Sequence, residues 1–291
     1  MRVVTMRLIS YEGNNGPRVA VKVGEAYVDV QQADSRLPAN MKQLLALGKE
    51  ALASLERAAQ SAEAIALENI RFSAPVPDPQ KVICIGLNYS DHAKESGMEP
   101  PPEPVVFNKF PSSVCGHLAP IVLPGLSNQV DYEAELVAII GTPGRDIPEH
   151  SALEHVAGYC CGHDVSARDW QLGKPGKQWL LGKTFDTFAP FGPELVTADE
   201  VPDPGNLSIQ LRLNGETMQD STTGQLIFSI AELVAYVSSV CTLLPGDVIF
   251  TGTPPGVGMA RKPPVFLKPG DAVEVEIGSL GVLENHVVAG N

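Results

Sequence analysis

Asp131, Glu133 and Glu135 stand at alternate positions at the start of the run VDYEAELVAII. In an extended strand, alternate side chains share a face, so the three carboxylates would form a row. Neighbours in such a row sit roughly 7 Å apart, and each like-charge pair costs about 2 kcal/mol at an effective dielectric near 20. Two settings make the row tolerable. One is an edge strand with a solvated acidic face. The other is a hard divalent cation held among the carboxylates, since such ions take oxygen ligands. A further acid, Asp164 in GYCCGHDVSARDWQ, directly follows an apolar stretch. Grouped with Glu133 and Glu135, it gives an all-oxygen donor set that favours Mg²⁺ or Mn²⁺ over Zn²⁺. His163 beside it reads as a satisfied core histidine, and Asp169 as a local partner of Arg168.

Other clusters could act on a substrate next to such an ion. In GLNYSDHAKESG, His92 and Glu95 are three residues apart on a short helical pattern. That spacing lets the carboxylate orient the imidazole as a general base; the alternative is an incidental pair on a surface helix. Ser90 is placed to cap that helix at its start and Gly97 at its end. Lys183 lies among apolar residues in LLGKTFDTFAPFGP, where it either snorkels to solvent or neutralises a developing oxyanion. The TGTPPGVG turn around Thr253 either holds a carboxylate or is structural; it lacks the Gly-Lys-Ser/Thr of a phosphate loop.

The elements that position these groups are mostly short strands. After Lys81, apolar runs alternate with Pro/Gly turns, which points to a β-rich α+β sandwich or barrel-like fold. Before it, GNNG at 13–16 and Gly24-Glu25 mark hairpin turns, and 40–66 reads as helix with Asn40 as N-cap. Prolines 75, 77 and 79 then separate a small N-terminal α+β domain, 1–74, from a catalytic domain, 75–291. Helical patterns also fall at 90–96, 148–155 and 229–241. The chain has 291 residues and a net charge of −13, which argues against nucleic acid or an anionic membrane as partner. No apolar run approaches the length of a membrane span and no signal peptide is expected. Five cysteines without a CxxC pair read as reduced thiols, with Cys160 and Cys161 in packing positions, in the cytoplasm. In a eukaryote the mitochondrial matrix is the alternative location.

GLNYSDHAKESG, DYEAELVAIIG, HDVSARDWQ, LLGKTFDTFAPFGP, NGETMQDSTT and LLPGDVIFTGTPPGVG occur in that order. The set resembles the fumarylacetoacetate hydrolase family over roughly residues 80–288, most of all its domain-containing protein 2 subgroup. The resemblance implies a mixed β-sandwich roll, a homodimer, and Mg²⁺ or Mn²⁺ (Ca²⁺ in some members) on Glu133, Glu135 and Asp164. It implies His92, Glu95 and Lys183 as catalytic residues, and Arg168, Gln171 and Thr253 as substrate contacts. Asp131 is left without a role. The implied substrate is a 2-oxo acid of β-diketo or oxaloacetate type. C–C hydrolysis, decarboxylation and loss of a C3 proton all pass through the same metal-bound enolate. Acylpyruvase or oxaloacetate decarboxylase activity is the expectation, with oxaloacetate keto–enol tautomerase as the alternative. A sugar-acid dehydratase and a non-catalytic 2-oxo-acid-binding protein are the further ones.

Overall fold

The acidic run leads into the middle of a large sheet. Ala134–Ile140 pairs antiparallel with Val156–His163 on one side and with Val248–Phe250 on the other. Val248–Phe250 runs parallel to Val82–Gly86, which pairs antiparallel with Val105–Lys109. In the other direction the sheet continues through Ala189–Thr197, Arg7–Gly13, Gly16–Val23 and Ala26–Asp29. It also rolls. The short strand Val114–Cys115, just beyond Val105–Lys109, pairs parallel with the start of Ala189–Thr197. This computed structural model describes residues 6–66, 70–95 and 99–290, so Gly97, expected to end a helix, lies outside the described residues.

Both faces of the central strand are covered. Leu136, Ala138 and Ile140 pack with Ile209, Leu211, Val273 and Val275 of a second, five-stranded sheet and with Leu233 and Val234 of the helix Ile230–Val240. Val137 and Ile139 belong to another cluster, with Leu44 and Leu55 of the N-terminal helices. Burial on both sides is why the second half of the run is continuously apolar rather than alternating. The fold is the α+β, β-rich roll expected from the sequence. Helix Ile230–Val240 is fixed at its start by a reciprocal capping box between Ser229 and Glu232, an arrangement worth about 1 kcal/mol.

Both expected hairpin turns form, with Gly24 in the left-handed region at φ 62°. The N-terminal segment joins the main sheet through Arg7 opposite Val196 and Leu8 opposite Leu195. The proline-rich stretch 74–81 has neither helix nor strand.

The helix expected over 40–66 is two helices. Met41–Ala46 is capped by Asn40, which accepts from Gln43 N, and Gly48–Ala59 follows a break where Gly48 sits at φ 77°. Ala64–Ile65 is instead a strand beside Ala26–Asp29, where backbone pairing at a sheet edge overrides the helical preference of alanine. Ser90, expected as a cap, stands at the start of its helix, Ser90–Glu95, and its hydroxyl donates to Gln225 Oε1. Two further helices, Arg168–Gln171 and Trp179–Lys183, are too short to leave a periodic signal in the sequence.

The topology gathers chemistry at one end of the central strands. Val82–Gly86 and Val248–Phe250 end there, Val156–His163 runs out there, and Ala134–Ile140 begins there. Glu135 lies at the start of Ala134–Ile140 itself, and the segments that follow or precede these ends carry His92, Glu95, Thr253, Asp164 and Glu133.

Candidate active site

The acidic row is broken, and the break sorts the acids. Val130–Asp131 forms its own two-residue ladder with Ser166–Ala167, and the long strand starts only at Ala134. Asp131 therefore belongs to the separate ladder, Glu133 falls in the break, and Glu135 lies on the long strand. The carboxylate of Asp131 accepts from Gly258 N at 2.7 Å and Met259 N at 3.0 Å and pairs with Arg168 Nε at 2.8 Å. Asp164 takes its place beside Glu133. Ala134 lies opposite His163 in the ladder, and Asp164 N donates to Glu133 O at 2.9 Å, so the two carboxylates meet at the strand ends.

Ligand atoms of Glu133, Glu135 and Asp164 all lie within 4.8 Å of one another, and all three residues are buried. Lys183 Nζ bridges Glu133 Oε2 and Asp164 Oδ2, each at 2.7 Å. Arg168 Nη2 reaches Glu133 Oε1 at 2.6 Å, and its Nη1 donates to Gln171 Oε1. Burial opposes ionisation of Glu133, but the charges of Lys183 and Arg168 outweigh it and hold its pKa at about 2. Glu135 behaves oppositely. Burial, then the charges of Asp164 and Glu133, push its pKa well above the usual carboxylate range. Among the described residues no cationic side chain pairs with Glu135; its carboxylate accepts from Gly252 N, which donates to Oε2 at 2.8 Å. An all-oxygen triad with one carboxylate lacking a cationic partner fits a hard divalent cation held by these three residues.

Lys109 was not found from the sequence. It is 1% exposed, sits 2.6 Å from Asp164 Oδ1, and donates to Val165 O and Phe188 O. The available signal was its place on the strand Val105–Lys109, sharing a face with Val105 and Phe107. His163 is buried but not satisfied: neither ring nitrogen meets a hydrogen-bond partner among the described residues. Burial, then the charge of Lys109, lowers its pKa to about 3, so the ring is neutral. Asp169 accepts from Ser127 Oγ rather than pairing with Arg168.

The TGTPPGVG loop does hold carboxylates, and they are the protein's own. Gly252 N serves Glu135, Gly256 N serves Glu95, and Gly258 N serves Asp131. Gly252 has no substitute here, because it sits at φ 107° and an added Cβ would lie 2.8 Å from Asn88 Cβ. Gly252→Ala should lower stability by about 2–3 kcal/mol, read as a drop in the thermal midpoint. An unchanged midpoint would mean that the loop relaxes freely. Gln219, also missed in the sequence, accepts from Ala134 N and donates to Thr253 Oγ1, tying the start of the acidic strand to this loop.

His92 Nδ1 lies 3.2 Å from Glu95 Oε2, at the mouth of a cleft of about 490 Å³. The walls of that cleft include all nine residues singled out in the sequence: His92, Glu95, Glu133, Glu135, Asp164, Arg168, Gln171, Lys183 and Thr253.

The family profile described as fumarylacetoacetate (FAA) hydrolase C-terminal matches residues 81–288. The chain belongs to the fumarylacetoacetate hydrolase family. It is 49% identical over 290 residues to the mitochondrial oxaloacetate tautomerase fahd2 of Xenopus laevis, covering 98% of this chain and 91% of that one. It is also 49% identical to the human mitochondrial oxaloacetate tautomerase FAHD2A, over 97% of this chain and 92% of that one. A solved maleylpyruvate hydrolase from Sphingobium sp. SYK-6, in complex with manganese(II) and pyruvate, shares 32% identity with a TM-score of 0.83, covering 98% of this chain and 100% of that one. The chain is an enzyme of this family, with the acidic triad of a metal site. No helix among the described residues is long and apolar enough to cross a membrane.

Proposed function

We propose that the protein interconverts the keto and enol forms of oxaloacetate, with Mg²⁺ or Mn²⁺ held by Glu133, Glu135 and Asp164. The observation that carries this reading is the 49% identity, over nearly the whole chain, to relatives named oxaloacetate tautomerase. When bound, the cation supplies Lewis acidity to the carboxylate and 2-oxo groups of the substrate. The protein's own residues handle the proton and the charge. With Nδ1–H donated to Glu95, the imidazole of His92 keeps Nε2 as the basic atom. That nitrogen removes a proton from C3. The C–H electrons form the C2–C3 double bond, and negative charge gathers on the 2-oxo oxygen. Lys183, fixed between Glu133 and Asp164, places a permanent ammonium where that charge develops. Burial disfavours its charged form, but Asp164 and Glu133 outweigh burial and hold its pKa above the ordinary lysine value. It therefore acts as a charge and not as a base. The imidazolium of His92 then gives its proton to the oxygen, through water where the two are not in reach, which completes the enol and restores the base. Gln171 and Thr253 supply polar contacts along the wall, while Arg168 holds Gln171 in place.

A second reading is C–C hydrolysis or decarboxylation of a 2-oxo acid, favoured by the solved relative that carries manganese and pyruvate. There His92 would take its proton from water. Incubation with oxaloacetate and Mg²⁺, following enol absorbance and pyruvate together with an EDTA control, separates the two. Faster equilibration without pyruvate supports the tautomerase; metal-dependent pyruvate formation overturns it in favour of cleavage. His92→Gln should lower kcat by about 10²–10⁴-fold with metal affinity unchanged, and equal rates for variant and wild type would remove His92 from the mechanism. The homodimer suggested by the family resemblance belongs to this reading too, and a monomer on sizing would refute it.

A further inference from the structure

We propose that Lys177 receives the second carboxylate of a dicarboxylic 2-oxo acid and so selects diacids over monoacids. This rests on the reading of the cleft as a 2-oxo-acid site and adds the means by which it recognises the far end of the substrate. The cleft is larger than the carboxylate–2-oxo head group requires, and its outer wall is formed by Leu172, Lys177, Trp179 and Met259.

A second carboxylate entering this space needs a cation, and the inner cations are committed. Lys183 is bound to Glu133 and Asp164. Arg168 is bound to Asp131, Glu133 and Gln171. Lys109 sits behind Asp164 and is not part of the cleft wall. Glu95, the carboxylate at the mouth, is engaged by His92 and by Gly256 N. Lys177 also lines the cleft, is exposed, and has no ion pair among the described residues. The other lysine of its loop, Lys174, is taken up elsewhere, with its ammonium 4.5 Å from the centre of the Trp170 ring.

The backbone at Lys177 points the same way. Gly176 and Lys177 adopt φ 78° and φ 50° in succession. Glycine fits such a position more easily than any residue with a Cβ, so a lysine there is held against local preference. Two hydrogen bonds close the turn, Lys177 N to Lys174 O at 3.1 Å and Trp179 N to Lys177 O at 3.0 Å. They set the lysine two residues before Trp179, which is another part of the wall. A carboxylate drawn into a cleft with apolar walls pairs with an ammonium more strongly than one in open water.

The test is equilibrium binding of oxaloacetate and of pyruvate to the Mg²⁺-loaded protein by calorimetry, for wild type, Lys177→Met and Lys177→Arg. Pyruvate has the same head group and lacks the distal carboxylate. Wild type should prefer oxaloacetate by about tenfold or more, as expected for a charge-assisted contact. Lys177→Met should lose most of that preference with pyruvate affinity unchanged, and Lys177→Arg should keep it. An undiminished preference in Lys177→Met would overturn the proposal, as would an equal loss for both ligands. A preference that depends on Lys177, in a protein that does not accelerate keto–enol exchange, would sink the tautomerase and leave the clamp standing.

Discussion

Replacing Asp164 with alanine should abolish divalent-cation binding and lower turnover of oxaloacetate by at least about 10³-fold, because several kcal/mol of charge stabilisation leave with the ion. The same change should destabilise the fold. Asp164 Oδ1 is the ion-pair partner of Lys109, and Oδ2 shares Lys183 with Glu133. Lys183 keeps Glu133 when Asp164 is gone. Lys109 keeps two backbone carbonyls but no carboxylate, at a site with 1% exposure. Breaking a buried ion pair from one side costs about 3–5 kcal/mol, and the remaining carbonyls put this case near the lower end. Two effects with one origin can be pulled apart. Lys109→Met added to Asp164→Ala removes the stranded ammonium and should recover part of the denaturation midpoint, while Mn²⁺ binding stays absent. If Asp164→Ala binds Mn²⁺ normally and turns over normally, the proposed metal site is wrong. If the second substitution recovers nothing, the loss comes from packing and not from charge.

The acids and the layout of strands were legible in the sequence because each leaves a local trace. Glu133 and Glu135 interrupt an apolar run, and that run is apolar on both faces because two different clusters cover it. Asp164 stands where another apolar run ends. What was not legible depends on contacts between distant segments. Nothing near Lys109 announces that Asp164, Val165 and Phe188 surround its ammonium; that follows from the rolling of the sheet, which brings the end of Val105–Lys109 beside Phe188. Gln219 looks like any polar residue of a hairpin strand until Thr253 folds over it. Asp131 was misread for a different reason. Strict alternation places it on the face of Glu133 and Glu135, but the strand breaks at Tyr132 and Glu133, and Asp131 pairs in a separate ladder. Periodicity predicts a face only for as long as the strand continues.

Asp131 becomes intelligible with Arg168, and Arg168→Met is expected to show how much the pair matters. One guanidinium joins Asp131 and Glu133 of the acidic run to Gln171 of its own helix. Burial disfavours the guanidinium's charge, but Glu133 and Asp131 more than compensate and hold its pKa above the ordinary arginine value. Among the described residues, removing it leaves Asp131, fully buried, with only backbone N–H donors from Tyr132, Gly258 and Met259. The expected loss is about 3–5 kcal/mol, read from the denaturant midpoint. Asp131→Asn alone should cost less, since an amide oxygen still accepts from Gly258 N. The double substitution should be more stable than the sum of the singles predicts, because neither charge is then stranded. Acidity gives an independent reading. With its pKa held at about 2, Glu133 contributes stability that is present above the ordinary carboxylate range and is lost as pH falls toward 2. Without Arg168 part of that depression is relieved, so Glu133 takes up its proton at higher pH. The acid-unfolding midpoint of Arg168→Met should then move to higher pH than that of wild type. A variant with unchanged denaturant and acid midpoints would show that the three acids are held by the loop amides and Lys183 alone.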